Sequence, residues 1–303
     1  MKTTIFVTGS NGLLGQKIVY KLLQRNDVNL VAASKGENRL LEKNGYTYIN
    51  LDISKLDEVK TAVEKFQPQV IINTAAMTNV DECETKREEC WGANVTAVEN
   101  FVKAIGNSAI HFVHLSTDFV FDGEAGPYKE EDQPNPLSYY ALSKYEAEKV
   151  LQNSSISWAI LRTIIVYGIV DNMSRSNVVL WAKSALEKGQ PINVVDDQFR
   201  SPTLAEDLAD ACISASEKRA KGIFHVSGKD IMSILELVYR VADFWKLDKS
   251  IVKPIKSDTL NQAAKRPPRT GFILNKSYRE LDYKPHSFEE GLEILDEQLK
   301  QKA

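Results

Sequence analysis

The sequence predicts a doubly wound α/β fold: a parallel sheet with helices on both faces, joined to a smaller α/β cap formed mainly by the C-terminal part. Three observations carry this expectation. Short β-branched apolar runs alternate with helical patterns from Thr3 to Arg162. A glycine-rich turn joins the first run to the first helix. The alternation loosens after Gly168, where a second, less regular set of elements begins.

Thr3–Thr8 (TTIFVT) is short, β-branched and apolar, as a buried parallel strand requires. Gly9-Ser-Asn-Gly12-Leu-Leu-Gly15 follows, then a helical pattern through Leu23. Glycines spaced GxxGxxG between strand and helix predict a dinucleotide-binding (Rossmann) turn. Gly9 would permit the tight turn, Gly12 the approach of a pyrophosphate, and Gly15 close packing of helix on strand. Gly9, Ser10, Asn11, Gly12, Leu13 and Leu14 are therefore candidate cofactor residues, at a helix N-terminus whose free N–H groups suit phosphates. The second strand, Val28–Ala33, ends in Ser34-Lys35. An NAD binder would carry an acid about here for the ribose 2′-hydroxyl. A hydroxyl and a cation suit a 2′-phosphate, so NADP is expected ahead of NAD; Lys35 also suits a solvated loop charge.

Tyr46–Leu51 reads as the third strand and ends at Asp52-Ile53-Ser54. Asp52, with Ile53 beside it, is a candidate for the adenine end of a cofactor, or a turn residue. Ser54 is expected to cap a helix over Lys55–Phe66. Gln69–Asn73 is the fourth strand; Thr74, Ala75, Ala76 and then Thr78 are small residues against which a cofactor can lie. Glu82–Ile105 reads as one long helix holding Asn94, whose amide would bind backbone near the cofactor or face solvent. Ala109–Leu115 is the fifth strand and delivers Ser116-Thr117-Asp118. The Asp122–Pro136 stretch, rich in Gly, Pro and acids, is long enough to be an active-site loop. A helix carrying Tyr140 and Lys144 follows, continuing to about Leu151, and Ser157–Arg162 is the sixth strand.

Residues at i and i+4 share a helix face, so Tyr140 and Lys144 bring a phenol and an ammonium together. The cation favours the phenolate and would lower the Tyr140 pKa from ~10. A hydroxyl from Ser116 or Thr117 would meet the pair from the strand end. In the second half, helices are expected over Asn177–Lys188, Leu204–Ser216, Ile231–Trp245 and Phe288–Gln301, with strands at Pro191–Val195 and Gly222–Val226. The expected division is a dinucleotide-binding domain at 1–168, with returns at about 196–228, and a substrate-binding cap from 169–195 and 229–303. Arg200, Arg266 and Arg269 suit a substrate diphosphate by bidentate bonding, or a solvated face.

A net charge of −3 gives no basic footprint for nucleic acid. Three cysteines without a CxxC read as reduced thiols of a cytoplasmic protein. The four histidines show no metal-ligand spacing with them, and no metal is expected. No apolar run approaches the ~20 residues that span a bilayer, and Met1 leads straight into a strand-like run, so neither a membrane span nor a signal peptide is expected. The helices over 82–105 and 138–151 are candidates to pair two copies into a homodimer, or to be covered within one chain.

TGSNGLLG, Asn73-Thr-Ala-Ala76, Ser116-Thr-Asp118 and Tyr140-x-x-x-Lys144 fall in the order and spacing of the extended short-chain dehydrogenase/reductase family, which the chain resembles over nearly its whole length. Within that family, NTAAMTNVDECE, STDFVFDG, PLSYYALSKYEAE, LRTIIVYG, DDQFRSPT and RPPRT resemble the dTDP-4-dehydrorhamnose reductases. That resemblance implies NADPH-dependent reduction of the C4 ketone of a nucleotide-linked 4-keto-6-deoxy sugar, as in dTDP-L-rhamnose biosynthesis. It assigns Tyr140 as proton donor, Lys144 to the nicotinamide ribose, Thr117 to the same substrate oxygen, and Asp118 to sugar positioning or proton relay. Val80, Phe119, Ile165, Arg200 and Arg266 join Thr117 and Asp118 as candidate substrate residues. Two positions depart from the pattern: Ile165 stands where such reductases usually have Trp, and Phe119 where they often have Tyr. Two other readings share the scaffold. One is a non-catalytic NADP-binding protein like the regulatory subunit of methionine adenosyltransferase. The other is a nucleotide-sugar epimerase or dehydratase, although the Thr-Asp-Glu of a dehydratase is replaced by Thr117-Asp118-Phe119.

Overall fold

Ile5 and Val7 pack into the core on one side of strand β1 (Thr3–Thr8), and Phe6 into the core on the other. This period-two division, with both faces buried, is what a strand inside a layered α/β sheet requires. The computed structural model describes residues 2–172 and 176–302. Its central sheet has seven strands. In chain order these are β1, β2 (Val28–Ser34), β3 (Thr47–Asn50), β4 (Val70–Asn73), β5 (His111–Thr117), β6 (Ser157–Thr163) and a last strand, Gly222–His225. In space they run Gly222–His225, β6, β5, β4, β1, β2, β3, every neighbouring pair parallel. The order reverses between β1 and β4, where Thr8 pairs with Asn73. Ligands in such sheets bind at the carboxyl ends beside this switch point.

Helix α1 (Leu13–Leu23) and the helix Ala205–Glu217 cover one face of the sheet. Helices α2 (Leu56–Phe66), α5 (Ala97–Ile105) and α6 (Tyr139–Gln152) cover the other. A second core gathers the helices Val178–Glu187, Ile234–Trp245 and Phe288–Lys302 with the strand Ile192–Val195, which pairs in parallel with Val252–Ile255. Phe272, Leu274, Leu281 and Tyr283 pack into the core of the main sheet. Among the described residues no helix is long and apolar enough to cross a membrane.

Two local expectations are corrected. The stretch 82–105 is not one helix. It is α3 (Val80–Thr85), α4 (Arg87–Trp91), a π turn over Gly92–Thr96, and α5. Lys86, at φ −109° and ψ 56°, leaves helical geometry between the first two pieces. Ser54 does not cap α2, which begins after Lys55 without a side-chain cap. Its hydroxyl instead donates to Asp52 at 2.6 Å.

Beneath the sheet lies a charged pair with almost no exposure. Arg162 on β6 donates to both oxygens of Glu148 on α6, at 2.9 and 2.7 Å. Its guanidinium also faces the His225 ring at 3.4 Å. Burial, then the nearby Arg162 charge, hold His225 well below its usual pKa.

Candidate active site

The carboxyl ends of β1, β4 and β5 open onto a cleft of about 650 Å³. Its floor is a glycine cradle. Gly9 sits at φ +71°, and a Cβ there would lie 2.6 Å from the Ala75 nitrogen. A Cβ on Gly15 would overlap the Gly9 carbonyl, so α1 can approach β1 only without a side chain there. Helix α1 opens at Gly12 with no side-chain cap and no acid in its first turn. Its terminal N–H groups are thus presented without a competing carboxylate. The Ser10 hydroxyl beside them is buried without a partner. This donor set fits a dinucleotide pyrophosphate.

The other predicted cofactor residues fall into two groups. Asn11, Gly12, Leu13, Leu14, Thr74, Ala76 and Thr78 line the cleft. Thr74 Oγ1 donates to the Thr8 carbonyl at 2.7 Å, pinning β4 to β1 below Ala75. Ser34 accepts from the Asn11 backbone N–H at 3.0 Å, and the Asn11 amide oxygen accepts from the Arg39 backbone at 2.8 Å. Ser34, Lys35, Asp52, Ile53 and Ala75 lie outside the cleft lining. Lys35 Nζ is paired with Asp52 at 3.0 Å, and the Ile53 carbonyl accepts from Asn100 at 3.0 Å.

The acid/base candidates converge. Ser138 caps α6 by accepting from the Ala141 N–H at 3.3 Å. This start sets Tyr140 and Lys144 on the face turned to β5, both buried. Thr117 ends β5; its hydroxyl donates to Asp118 at 3.1 Å and accepts from the Phe119 N–H at 3.2 Å, and it lowers the Tyr140 phenol's pKa. The Phe119 ring meets the Tyr140 ring edge-on, with centroids 6.1 Å apart.

Electrostatics here differ from the expectation. Burial pushes the Tyr140 phenol up, and the Thr117 hydroxyl only partly pulls it back. Lys144 does not lower it, because Lys144 is turned elsewhere. Its ammonium donates to the Leu115 carbonyl at 2.6 Å and lies 3.4 Å from His114 Nε2. Burial lowers Lys144 itself to about 8, against the raising influence of Glu148. His114, wholly buried, is held well below its usual value by desolvation and then by Lys144.

Of the candidate substrate residues, Val80, Thr117, Asp118, Phe119 and Ile165 line the cleft. Ile165 has φ +29°, a backbone region that β-branched residues rarely adopt. Arg200 and Arg266 do not line it. Arg200 is 1% exposed and donates to the carbonyls of Phe199, Pro267 and Pro268 at 2.7, 2.6 and 3.3 Å. Arg266 makes a two-point ion pair with Asp81 at 3.2 and 2.6 Å. Arg269 lies over the Phe199 ring, 5.2 Å from its centroid.

His114, Thr163 and the segment Ser176–Val178 escaped sequence reasoning, whereas Ser116 and the backbone-binding Asn94 were already candidates in it. His114 is two residues before Ser116, hence on the same strand face, and that spacing was the available signal. Ser116 lines the cleft with a buried, unpartnered hydroxyl. Asn94 accepts from the Met77 N–H at 2.8 Å, and donates to the Met77 carbonyl at 3.1 Å and to Ser143 at 2.9 Å. It thus joins the loop after β4 to α6. Thr163 and the segment Ser176–Val178 complete the far wall.

The sheet order, the glycine cradle and the Thr–Tyr–Lys set define the class: an extended short-chain dehydrogenase/reductase architecture. Within it, the chain belongs to the family of the RmlD substrate binding domain, whose model matches residues 1–300. It is 34% identical over 268 residues to methionine adenosyltransferase 2 subunit beta of Bos taurus, covering 87% of this chain and 78% of that one. Among solved structures it is similar to a dTDP-4-dehydrorhamnose reductase of Clostridium acetobutylicum, at 27% identity and TM-score 0.86, covering 98% of this chain and 100% of that one. It is also similar to the dTDP-4-dehydrorhamnose reductase of Bacillus anthracis in complex with NADP, at 26% identity and TM-score 0.85, with the same coverage.

Proposed function

We propose that the protein is an NADPH-dependent reductase acting on the C4 ketone of a nucleotide-linked 4-keto-6-deoxy sugar, of the dTDP-4-dehydrorhamnose reductase type. The observation that carries this reading is the burial of Thr117, Tyr140 and Lys144 around one end of a cleft whose other end is the glycine cradle. The cradle and the α1 N-terminus would hold the pyrophosphate of NADP, with NAD as the alternative. Bound there, the cofactor would supply hydride.

The chain's own residues would do the rest. Tyr140, kept protonated by burial, is suited to donate its proton to the oxygen of a reducing carbonyl. Thr117 would hold the same oxygen by turning to it the hydroxyl hydrogen that Asp118 now takes. Lys144 would secure the nicotinamide ribose hydroxyls while anchored to the Leu115 carbonyl. The Ser116 hydroxyl, free of protein partners, would take a polar group of cofactor or substrate.

A second reading follows from the similarity to methionine adenosyltransferase 2 subunit beta: a cofactor-binding partner protein without turnover. A protein of that kind does not need a complete Thr–Tyr–Lys set, and this chain keeps one. The deciding experiment is NADPH oxidation, with NADH in parallel, across a panel of nucleotide-linked 4-keto sugars. Stoichiometric loss of NADPH absorbance is expected with at least one. No turnover on any, with co-purification of a larger synthetase, overturns the reductase reading in favour of the second. Product formation without net NADPH loss points instead to an epimerase.

A further inference from the structure

One rung of the central sheet is polar from strand to strand. Thr8 on β1 pairs with Asn73 on β4, and Asn73 with His114 on β5, so their side chains form a row across the switch point. All three are buried. The Thr8 hydroxyl donates to Asn73 Oδ1 at 2.6 Å. Asn73 Nδ2 stands 3.1 Å from His114 Nδ1, and His114 Nε2 stands 3.4 Å from Lys144 Nζ. Nζ in turn donates to the Leu115 carbonyl at 2.6 Å. The row thus links the residue before the glycine cradle to the amine of the acid/base set.

This row has a direction. A hydroxyl has one hydrogen to give, and Asn73 is the hydrogen-bond partner that the Thr8 hydroxyl has among the described residues. Giving that hydrogen to Oδ1 turns the amide nitrogen toward His114. An amide nitrogen only donates, so Nδ1 accepts. Burial, and then the Lys144 charge, keep His114 neutral. A neutral imidazole with an accepting Nδ1 carries its hydrogen on Nε2, which here faces Lys144. A neutral amine meets that hydrogen well. Its lone pair accepts it, one of its own hydrogens goes to the Leu115 carbonyl, and one is left for a ligand. An ammonium has no lone pair and would set N–H against N–H. Reversing the row means turning the amide over, which strands the Thr8 hydrogen in the interior.

We propose that Thr8, Asn73 and His114 are positioning residues for Lys144: their row brings the Nε2–H of His114 to Nζ and so favours the neutral amine in the cofactor-free cleft. The proposal rests on the reductase reading only for the use to which Lys144 is put. The titratable and charged groups acting on Lys144 are His114 from β5, Glu148 from its own helix and Cys90 from α4. Burial disfavours the ammonium, Glu148 and Cys90 favour it, and the row works on the side of burial.

The test is done on the full chain without substrate. Long-range ¹H–¹⁵N spectra of the imidazoles read the His114 tautomer, and ¹³Cε spectra read the Lys144 midpoint, assigned with Lys144→Met. Wild-type His114 should carry its hydrogen on Nε2 on both sides of that midpoint. Thr8→Val removes the hydroxyl that sets the direction. Below the midpoint the hydrogen should then move to Nδ1, and the midpoint should rise by about 1–2 pH units, what a buried hydrogen-bonding group left unpaired is worth. The alkaline loss of NADPH binding should move up with it. Asn73→Asp, whose carboxylate only accepts, should fix the hydrogen on Nδ1 and raise the midpoint further. A wild-type His114 with its hydrogen on Nδ1 overturns the proposal, as does an unmoved or lowered midpoint in Thr8→Val. If Thr8→Val does not fold, the wild-type tautomer decides. If the wild type oxidises no NADPH on any keto sugar, the reductase reading fails, while the tautomer and the midpoint still decide whether the row governs Lys144.

Discussion

The two halves of the cleft treat their polar groups in opposite ways. On the dinucleotide side, groups are left unspent. The α1 N-terminus has no cap, and the Ser10 and Ser116 hydroxyls are buried without partners. On the C-terminal side, the prominent cations near the cleft are spent on the protein itself, Arg200 on Asp118 and backbone carbonyls, Arg266 on Asp81. One half is built to receive a ligand and the other to hold the first half in register. A cationic side chain near a cleft is therefore weak evidence for an anionic substrate until its partners have been counted.

The strongest test of this contrast is at the acid. Tyr140→Phe should cut turnover by ~10²–10⁴-fold, with NADPH affinity little changed. Near-normal turnover in a stopped assay would remove Tyr140 from the chemistry. Next in size is the interior pair. Glu148→Gln leaves the Arg162 charge buried and should cost ~3–5 kcal/mol in denaturant unfolding. Lys144 gives a third test. With a folded pKa of about 8, below its ordinary 10.5, it loses charge above about pH 8, so NADPH binding followed by fluorescence should weaken there. Stability should do the reverse. Between pH 8 and 10.5 the unfolded chain holds the proton and the folded chain does not, so this group's contribution to stability rises with pH in that window. Lys144→Met should abolish both trends. The smallest effect is expected at Arg266→Ala. Its pair with Asp81 is partly exposed, so the loss should be about 0.2–1 kcal/mol and shrink as salt is added.

The strands and the Tyr-x-x-x-Lys pair were legible because both are local patterns. β1 spans Thr3–Thr8 as its β-branched run predicts, and a four-residue spacing on a helix places two side chains together without further information. What was not legible depends on contacts between residues distant in sequence. Nothing near Arg200 marks Asp118 as its partner, and nothing near Lys144 announces that the Leu115 carbonyl would take its ammonium. The direction of the Tyr140 shift was misread for the same reason: spacing predicts proximity, whereas burial, which here outweighs charge, is a property of the assembled fold. The break at Lys86 had no proline or glycine to signal it.

The π turn over Gly92–Thr96 has a consequence for how such a sequence tolerates insertion and deletion. A turn with one residue more than an α-helix rotates everything beyond it by about 100° relative to the regular register. Asn94 lies inside that turn, and its amide reaches both the Met77 backbone and Ser143. Deleting Gly92 or Ala93 would leave the composition almost unchanged and the helix more regular, yet swing the Asn94 amide off both partners. The irregular turn thus acts as a reading-frame marker for the cleft, so that chain length between Met77 and Ala97 is constrained as tightly as residue identity.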